Sequence, residues 1–262
     1  MTNFHNTAKR TRGVAKPTAD TVKLCGIEIM ATSAAEAATD IIKTAQERQP
    51  IAYHFVNAYT ISLTAKNSAL RQVLTQGVAL PDGKPLTLLA RIKASTAQQV
   101  RGPSTFEAVF QQSQKVDIKH YLLGSSAETL SRLVARLKQK YPDVAIAGFY
   151  SPPYHALSPT ETEHQDSMIR SSGADIVWVG LGTPKQDFEA QRIAHQLGVT
   201  TAAVGAAFDF SAGTKREAPP WMATVGLEWA FRLCTEPRRL WKRYMFGNAI
   251  FIKQAAIHWF DR

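Results

Sequence analysis

The stretch Asp175-Ile176-Val177-Trp178-Val179-Gly180-Leu181-Gly182-Thr183-Pro184-Lys185-Gln186 settles the fold class. From Ile176 to Val179 it is apolar at every consecutive position, so neither face is left polar. That is the pattern of a sheet strand covered on both sides. Gly180, Gly182 and Pro184 then break the extended chain, and an amphipathic helix is expected over 184–196. Thr183 reads as its N-cap, Pro184 as its first residue and Gln186 as the return arm of a capping box. The same helix start offers free N–H groups and the positive end of a dipole, which suit a diphosphate. Both readings stay open.

Outward from this stretch, short apolar runs alternate with amphipathic segments. Strands are expected at 24–30, 51–57, 77–81, 118–123, 143–148, 175–181 and 200–205. Helices are expected at 34–47, 59–66, 68–76, 84–93, 104–113, 126–140, 159–172, 184–196 and most of 221–258. Strands alternating with helices imply parallel βαβ units, hence an α/β fold with a doubly wound, mostly parallel sheet. Three parts follow: a polar, flexible tail over 1–22, an α/β domain over 23–218, and a helical, basic and aromatic appendage over 219–262. The 149–158 stretch, with Pro152 and Pro153, reads as a loop, either a lid or a long crossover.

The 262-residue chain is long enough to bury a sizeable core without disulfides or metal. Its formal net charge of +10 is unevenly placed: residues 1–23 carry a net +4 and residues 232–262 a net +5. Basic ends suit an anionic partner such as phospholipid, a pyrophosphate-lipid or nucleic acid. Cys25 and Cys234 lie at opposite ends with no metal-type spacing, so a reduced, cytoplasmic setting with inert thiols is expected. No secretory signal is legible, and no run approaches the roughly 18 apolar residues of a membrane span. The protein is expected to lie on a membrane rather than in it.

In open α/β sheets, ligands bind beyond the carboxyl ends of the strands. Five strand ends bring polar or glycine-rich turns there: Asn57, then Asp82-Gly83, Gly124-Ser125-Ser126, Gly182-Thr183-Pro184-Lys185-Gln186, and Asp209. Each has a bland reading too. Asp-Gly is a common turn pair, Gln186 closes a capping box, and Asp209 holds a turn. The Gly124 turn matches neither a dinucleotide fingerprint nor a P-loop. Histidines 54, 120, 155, 164 and 195 are scattered, and Glu161, Glu163, His164 and Asp166 fall on an expected solvated helix face, so no metal site is expected.

From Pro219 onward, Trp221, Trp229, Phe231, Trp241, Tyr244 and Phe246 interleave with Arg232, Arg238, Arg239, Lys242 and Arg243. Such a mixture suits an interfacial helix, with rings at headgroup depth and cations on lipid phosphates. At about 1 kcal/mol per basic residue, Arg238, Arg239, Lys242 and Arg243 together contribute roughly 4 kcal/mol. Plain packing with the basic face in water, and nucleic-acid binding, are the alternatives. Pro237 is expected to divide the segment into two helices.

The run Val204-Gly205-Ala206-Ala207-Phe208-Asp209-Phe210-Ser211-Ala212-Gly213, followed by Ala218-Pro219-Pro220-Trp221-Met222, Gly226-Leu227-Glu228-Trp229, Glu236-Pro237-Arg238-Arg239-Leu240, Arg243-Tyr244 and Gly247-Asn248, resembles the WecG/TagA/CpsF glycosyltransferases. Asn57-Ala58, Pro81-Asp82-Gly83 and Gly180 to Gln186 fit the same pattern in the same order. The resemblance implies a Rossmann-like catalytic domain with a membrane-meeting appendage. It also implies inverting transfer of a hexose (N-acetylmannosamine, its uronic acid or glucose) from a UDP-sugar to a polyprenyl-diphosphate-linked sugar, on the inner face of the plasma membrane, during polysaccharide or teichoic-acid assembly.

By the same resemblance Asp82 is the general base. The resemblance also puts Asn57 and Gln186 at the substrate pocket, and has Arg232, Arg238, Arg239 and Arg243 meet the acceptor diphosphate or the membrane; Gly83, Gly124, Gly182, Thr183, Lys185 and Asp209 are expected at the pocket from their strand-end positions. Two places depart from the pattern. Phe55 stands where many members have Thr, and Gln99 where many have Arg, with Arg101 two residues on as a candidate replacement.

The chemistry asks for such a set. A sugar hydroxyl needs a carboxylate to take its proton as it attacks the anomeric carbon. The leaving UDP needs fixed donors or a metal. With no D-x-D pair in the chain, backbone N–H groups and arginines are expected to serve, with no metal and no cofactor. A catalytically impaired nucleotide-sugar-binding peripheral membrane protein of the same fold is the alternative. No nucleic acid is expected as a partner, and room is left for a homo-oligomer.

Overall fold

A computed structural model describes residues 20–259, without the side chains of Pro220, Ala223, Thr224 and Arg239. The strands are β1 (Thr21–Leu24), β2 (Ile27–Met30), β3 (Ala52–Val56), β4 (Val78–Pro81), β5 (Lys119–Gly124), β6 (Ala145–Tyr150), β7 (Ile176–Gly180) and β8 (Thr200–Ala203). They form a single sheet in the order β1-β2-β4-β3-β8-β7-β5-β6. All neighbours pair in parallel except β1 with β2, which are antiparallel. The mixed α/β, Rossmann-like, mostly parallel sheet expected from the sequence is present.

Helices α1 (Ala34–Gln46), α5 (Gly102–Ser113), α6 (Ala127–Lys140) and α9 (Ala207–Ser211) share one core with Tyr53, Phe55, Leu122 and Trp178 of the sheet. Helices α7 (Pro159–Ser172) and α8 (Lys185–Leu197) pack with Tyr121, Leu123, Val177 and Val179, the residues that alternate with that set. The apolar run of β7 is therefore divided between the two faces, as its lack of a polar face requires. On the first face Phe106 meets Trp178 edge-on at 4.8 Å, and the Trp178 indole N–H donates to Nδ1 of His120 at 3.1 Å. Burial holds the His120 imidazole neutral, with its pKa drawn down to about 3.

The expected strand over 24–30 is instead a hairpin. Cys25 and Gly26 both take positive φ, 52° and 75°, and reverse the chain between β1 and β2. Paired positive φ values are what a two-residue hairpin turn needs. The first described strand begins at Thr21, inside the segment read as tail; residues 1–19 of that tail lie outside the described residues. The expected solvated face near 161–166 holds for exposed Glu163 and His164 but needs correction at Asp166, which is buried and grips Arg192 through both oxygens at 2.7 and 2.8 Å.

A third core cluster joins α2 (Ala58–Thr64), α3 (Ser68–Gln76) and α4 (Lys84–Lys93) to the β1–β2 hairpin. After it come α10 (Pro220–Val225), α11 (Glu228–Thr235) and α12 (Pro237–Ile257), with Pro237 opening α12 as expected. Helix α12 is anchored by its buried Leu240 and Phe251, the latter inside the third cluster. At Gly247 it comes so close to α2 that a Cβ would stand 3.3 Å from Tyr59. These contacts bring the C-terminal helices over the carboxyl ends of β3 and β4.

Candidate active site

The strand β3 ends at Val56, and the next residue, Asn57, caps α2. Its Oδ1 accepts from the N–H groups of Tyr59 and Thr60 at 3.1 and 3.2 Å and from the Thr60 hydroxyl at 3.3 Å. Beside it β4 ends at Pro81, whose carbonyl accepts from the Val100 N–H at 2.9 Å. The Asp82 N–H then donates to the Val56 carbonyl at 2.7 Å, which pins Asp82 next to Asn57. Gly83 follows with φ at +122°, a conformation that L side chains rarely adopt, and opens α4. The Asp-Gly pair is thus both the turn of the bland reading and the means by which a carboxylate is aimed off the strand end.

A cavity with about 170 Å³ of internal space opens there. The body of the fold lines it with Asn57, Tyr59, Asp82, Gly83, Lys84 and Gln99. The last two helices close it with Glu228, Trp229, Arg232, Arg243, Tyr244 and Asn248. The rings of Trp229 and Tyr244 meet edge-on at 5.9 Å, joining α11 to α12 across this roof.

The electrostatics of the cavity are uneven. Asp82 keeps access to the cavity but is otherwise enclosed by protein, and its pKa is pushed up to about 7. Burial is the main cause, the negative Glu228 adds to it, and Arg101, Arg232 and Arg243 oppose it. Arg243 is pulled below the ordinary arginine range by burial first and by Arg232 among its neighbours. Its Nε is buried without a hydrogen-bond partner. A half-buried guanidinium with a spare donor, next to Arg232, Lys84 and the N-terminal end of α4, is an arrangement that accepts an anion. Among the described residues no three His, Cys, Asp or Glu side chains come together to hold a metal ion.

Asn57, Asp82, Gly83, Arg232 and Arg243 meet at this cavity, whereas other sequence-predicted residues lie elsewhere. Gly124 and Gly182 stand beyond β5 and β7, on the same sheet edge; β8 separates β7 from β3, so about 10 Å lies between them. Gly124 is required by a close approach, since a Cβ would sit 2.5 Å from the Gly180 carbonyl oxygen. Exposed Lys185 starts α8 on that side. The Ser151 hydroxyl donates to the Ser125 carbonyl at 2.7 Å, which ties the 151–158 loop to the same edge.

The capping box expected at Thr183 and Gln186 is displaced. Pro184, not Thr183, occupies the cap position, with no side-chain cap. Buried Gln186 instead accepts from the Gly182 N–H at 3.0 Å and donates to the Ala203 carbonyl at 3.0 Å, tying the ends of β7 and β8 together. Asp209 pairs with Lys215 at 3.0 Å, in keeping with its turn-holding reading. Arg101 spends its guanidinium on Glu228 and Glu217 rather than lining the cavity, and Phe55 faces the core. Arg238 is exposed at the start of α12; the Arg239 side chain lies outside the described residues.

Tyr59, Lys84 and Glu228 were not singled out as site residues by sequence reasoning. Tyr59 is placed two residues past Asn57, where the α2 cap turns it toward the cavity. Glu228 comes from α11, far along the chain, and only its place in the quoted family pattern hinted at it.

Comparison with known proteins gives this geometry a setting. Over 168 residues, 63% of each chain, the protein is 29% identical to an N-acetylglucosaminyldiphosphoundecaprenol N-acetyl-beta-D-mannosaminyltransferase of Bacillus subtilis (strain 168). It is 28% identical, over the same share, to the protein of that name from Bacillus spizizenii. The alignment thus spans under two thirds of either relative. The model of the WecG/TagA/CpsF glycosyl transferase family matches residues 22–262, almost the whole chain including the helices that roof the cavity, and the chain belongs to that family.

Proposed function

We propose that the protein transfers a hexose from a UDP-sugar to a polyprenyl-diphosphate-linked sugar, with inversion at the anomeric carbon and without a metal ion. Asp82 carries the reading: it is a carboxylate at a strand end, facing a cavity, with a proton affinity suited to a base working near neutral pH. It takes the proton of the acceptor hydroxyl as that oxygen attacks the anomeric carbon. The bond to UDP breaks on the opposite side. Arg232 and Arg243, brought in by α11 and α12, stabilise diphosphate charge at the cavity. The names of the relatives favour N-acetylmannosamine among the donor sugars the family admits.

A lipid-linked acceptor must be met at its membrane, and the last helices suit that meeting. No described helix is long and apolar enough to cross a membrane. Trp241, Met245 and Phe246 on α12 are nonetheless 45, 68 and 63% exposed, and Arg238 and Lys242 lie on the same helix. Rings and cations together on an exposed helix support a peripheral position on the inner face of the plasma membrane. UDP release on mixing UDP-N-acetylmannosamine with a short-chain polyprenyl-diphosphate N-acetylglucosamine tests the proposal. Release that depends on the acceptor supports it; acceptor-independent hydrolysis or none, across a panel of UDP-sugars, counts against it.

A further inference from the structure

The cavity holds a second carboxylate that the transfer chemistry does not use. Glu228, at the start of α11, lines it together with Asp82. Arg101 reaches Glu228 with two nitrogens, Nε to Oε2 at 3.1 Å and Nη2 to Oε1 at 3.0 Å, a paired geometry that fixes both planes. The same Nη2 donates to Glu217 at 2.6 Å, in the segment leading to α10. Arg101 is itself well placed, since it caps α5 next to Val100, whose N–H is bonded to the carbonyl of Pro81. A short chain of contacts therefore runs from the turn that carries Asp82, through Val100 and Arg101, to the first residue of α11.

We infer that Glu228 is a positioning residue for Asp82: gripped by the Arg101 fork, it seats α11 against the cavity wall and holds a negative charge beside the base. The inference rests on the reading of Asp82 as general base. The groups around Asp82 are Glu228 and Arg232 from α11, Arg243 and Tyr244 from α12, Lys84 from α4, Tyr59 from α2, and Arg101 at the start of α5. The negative charge of Glu228 favours protonation of Asp82, against Arg101, Arg232 and Arg243. Without that charge burial alone would oppose the three cations, and the carboxylate would ionise more easily and bind a proton less well. A base that binds protons poorly is a weak catalyst of proton removal.

The pH dependence of kcat/KM separates this role from mere support. Acceptor-dependent UDP release is measured from about pH 5 to 9 for the unaltered protein, Glu228→Gln and Arg101→Met. Glu228→Gln removes the opposing charge and frees the Arg101 cation, so the rising limb is expected to move to lower pH. Arg101→Met removes a cation and leaves Glu228 ionised, so the limb is expected to move to higher pH. Each displacement should be on the order of one pH unit. A bridge that only supported the fold would lower Tm in both variants without moving the limbs apart. Limbs that coincide with the unaltered protein's, or move in the same direction, overturn the inference. Should one variant melt below the assay temperature, the direction taken by the other decides. Near-normal turnover by Asp82→Asn would instead sink the reading of Asp82 itself; an inactive Asp82→Asn with unmoved limbs sinks the role of Glu228 alone.

Discussion

The guanidinium of Arg243, on α12, lies over the ring of Tyr59, on α2, with 4.1 Å from Cζ to the ring centroid. The contact holds an appendage cation at a cavity whose Asp82 comes from the end of a sheet strand. Gly247, one helical turn further on, lets the two helices approach closely enough for it.

Removing that platform should loosen the cation without removing it. A stacked guanidinium gains about 0.5–2 kcal/mol from the ring, depending on how dry the site is. Tyr59→Leu is expected to raise KM for the lipid-linked acceptor by roughly two- to thirtyfold at that energy, while Tyr59→Phe, which keeps the ring, stays near the unaltered value. Steady-state kinetics with acceptor as the varied substrate checks both.

The pKa of Asp82 gives a pH dependence with a definite sign. A base acts when ionised, so kcat/KM should rise with pH through about 7 and then level. Stability runs the other way. The folded chain binds the Asp82 proton more tightly than the unfolded chain does, so stability is lost as pH rises from the ordinary aspartate range to about 7. Asp82→Asn should therefore raise Tm at pH 8 relative to the unaltered protein, measured by thermal melting.

Membrane contact through α12 predicts a separation of functions. The double variant Trp241→Ser, Phe246→Ser should bind vesicles containing anionic lipid at least about tenfold more weakly, given about 1.5–3 kcal/mol for each large apolar side chain removed from lipid. Turnover on a short-chain, water-dispersed acceptor should be unchanged. Flotation with vesicles and the soluble assay, run in parallel, check the two halves.

Gln186 offers a test of structure against ligand binding. Gln186→Ala leaves the buried Ala203 carbonyl without this partner, at a cost of about 1–3 kcal/mol, while the N–H of exposed Gly182 can turn to water. Tm should fall by several degrees, with any loss of UDP binding following the loosened β7–β8 ends. Unchanged Tm with abolished UDP binding would make Gln186 a direct ligand contact.

The fold was legible because its signals are local. Ile176 to Val179 announce a strand with two covered faces, and parallel strands of this kind put Asn57, Asp82, Gly124 and Gly182 on one edge whatever the sheet order. The hairpin was not legible, because a cysteine at positive φ is rare and the Cys25-Gly26 pair interrupts no hydrophobic pattern. The capping box at Gln186 misled for a related reason. The same residue types also satisfy a tie between two strand ends, and only their tertiary neighbours choose. The roof of the cavity was half legible. Composition marked Arg232 and Arg243 as cations in need of an anion, but which of the basic residues turn inward depends on Leu240 and Phe251 fixing the rotation of α12. Glu228 and Tyr59 come from helices distant in sequence, and no spacing rule joins them.

The role of Asp82 is tested by the turnover of UDP-N-acetylmannosamine and a lipid-linked acceptor by Asp82→Asn, beside its affinity for UDP. If Asp82 is the general base, UDP binding is unchanged and transfer falls by about two to four orders of magnitude, the usual contribution of such a group. Transfer within a few-fold of the unaltered protein's rate would mean that another group removes the proton.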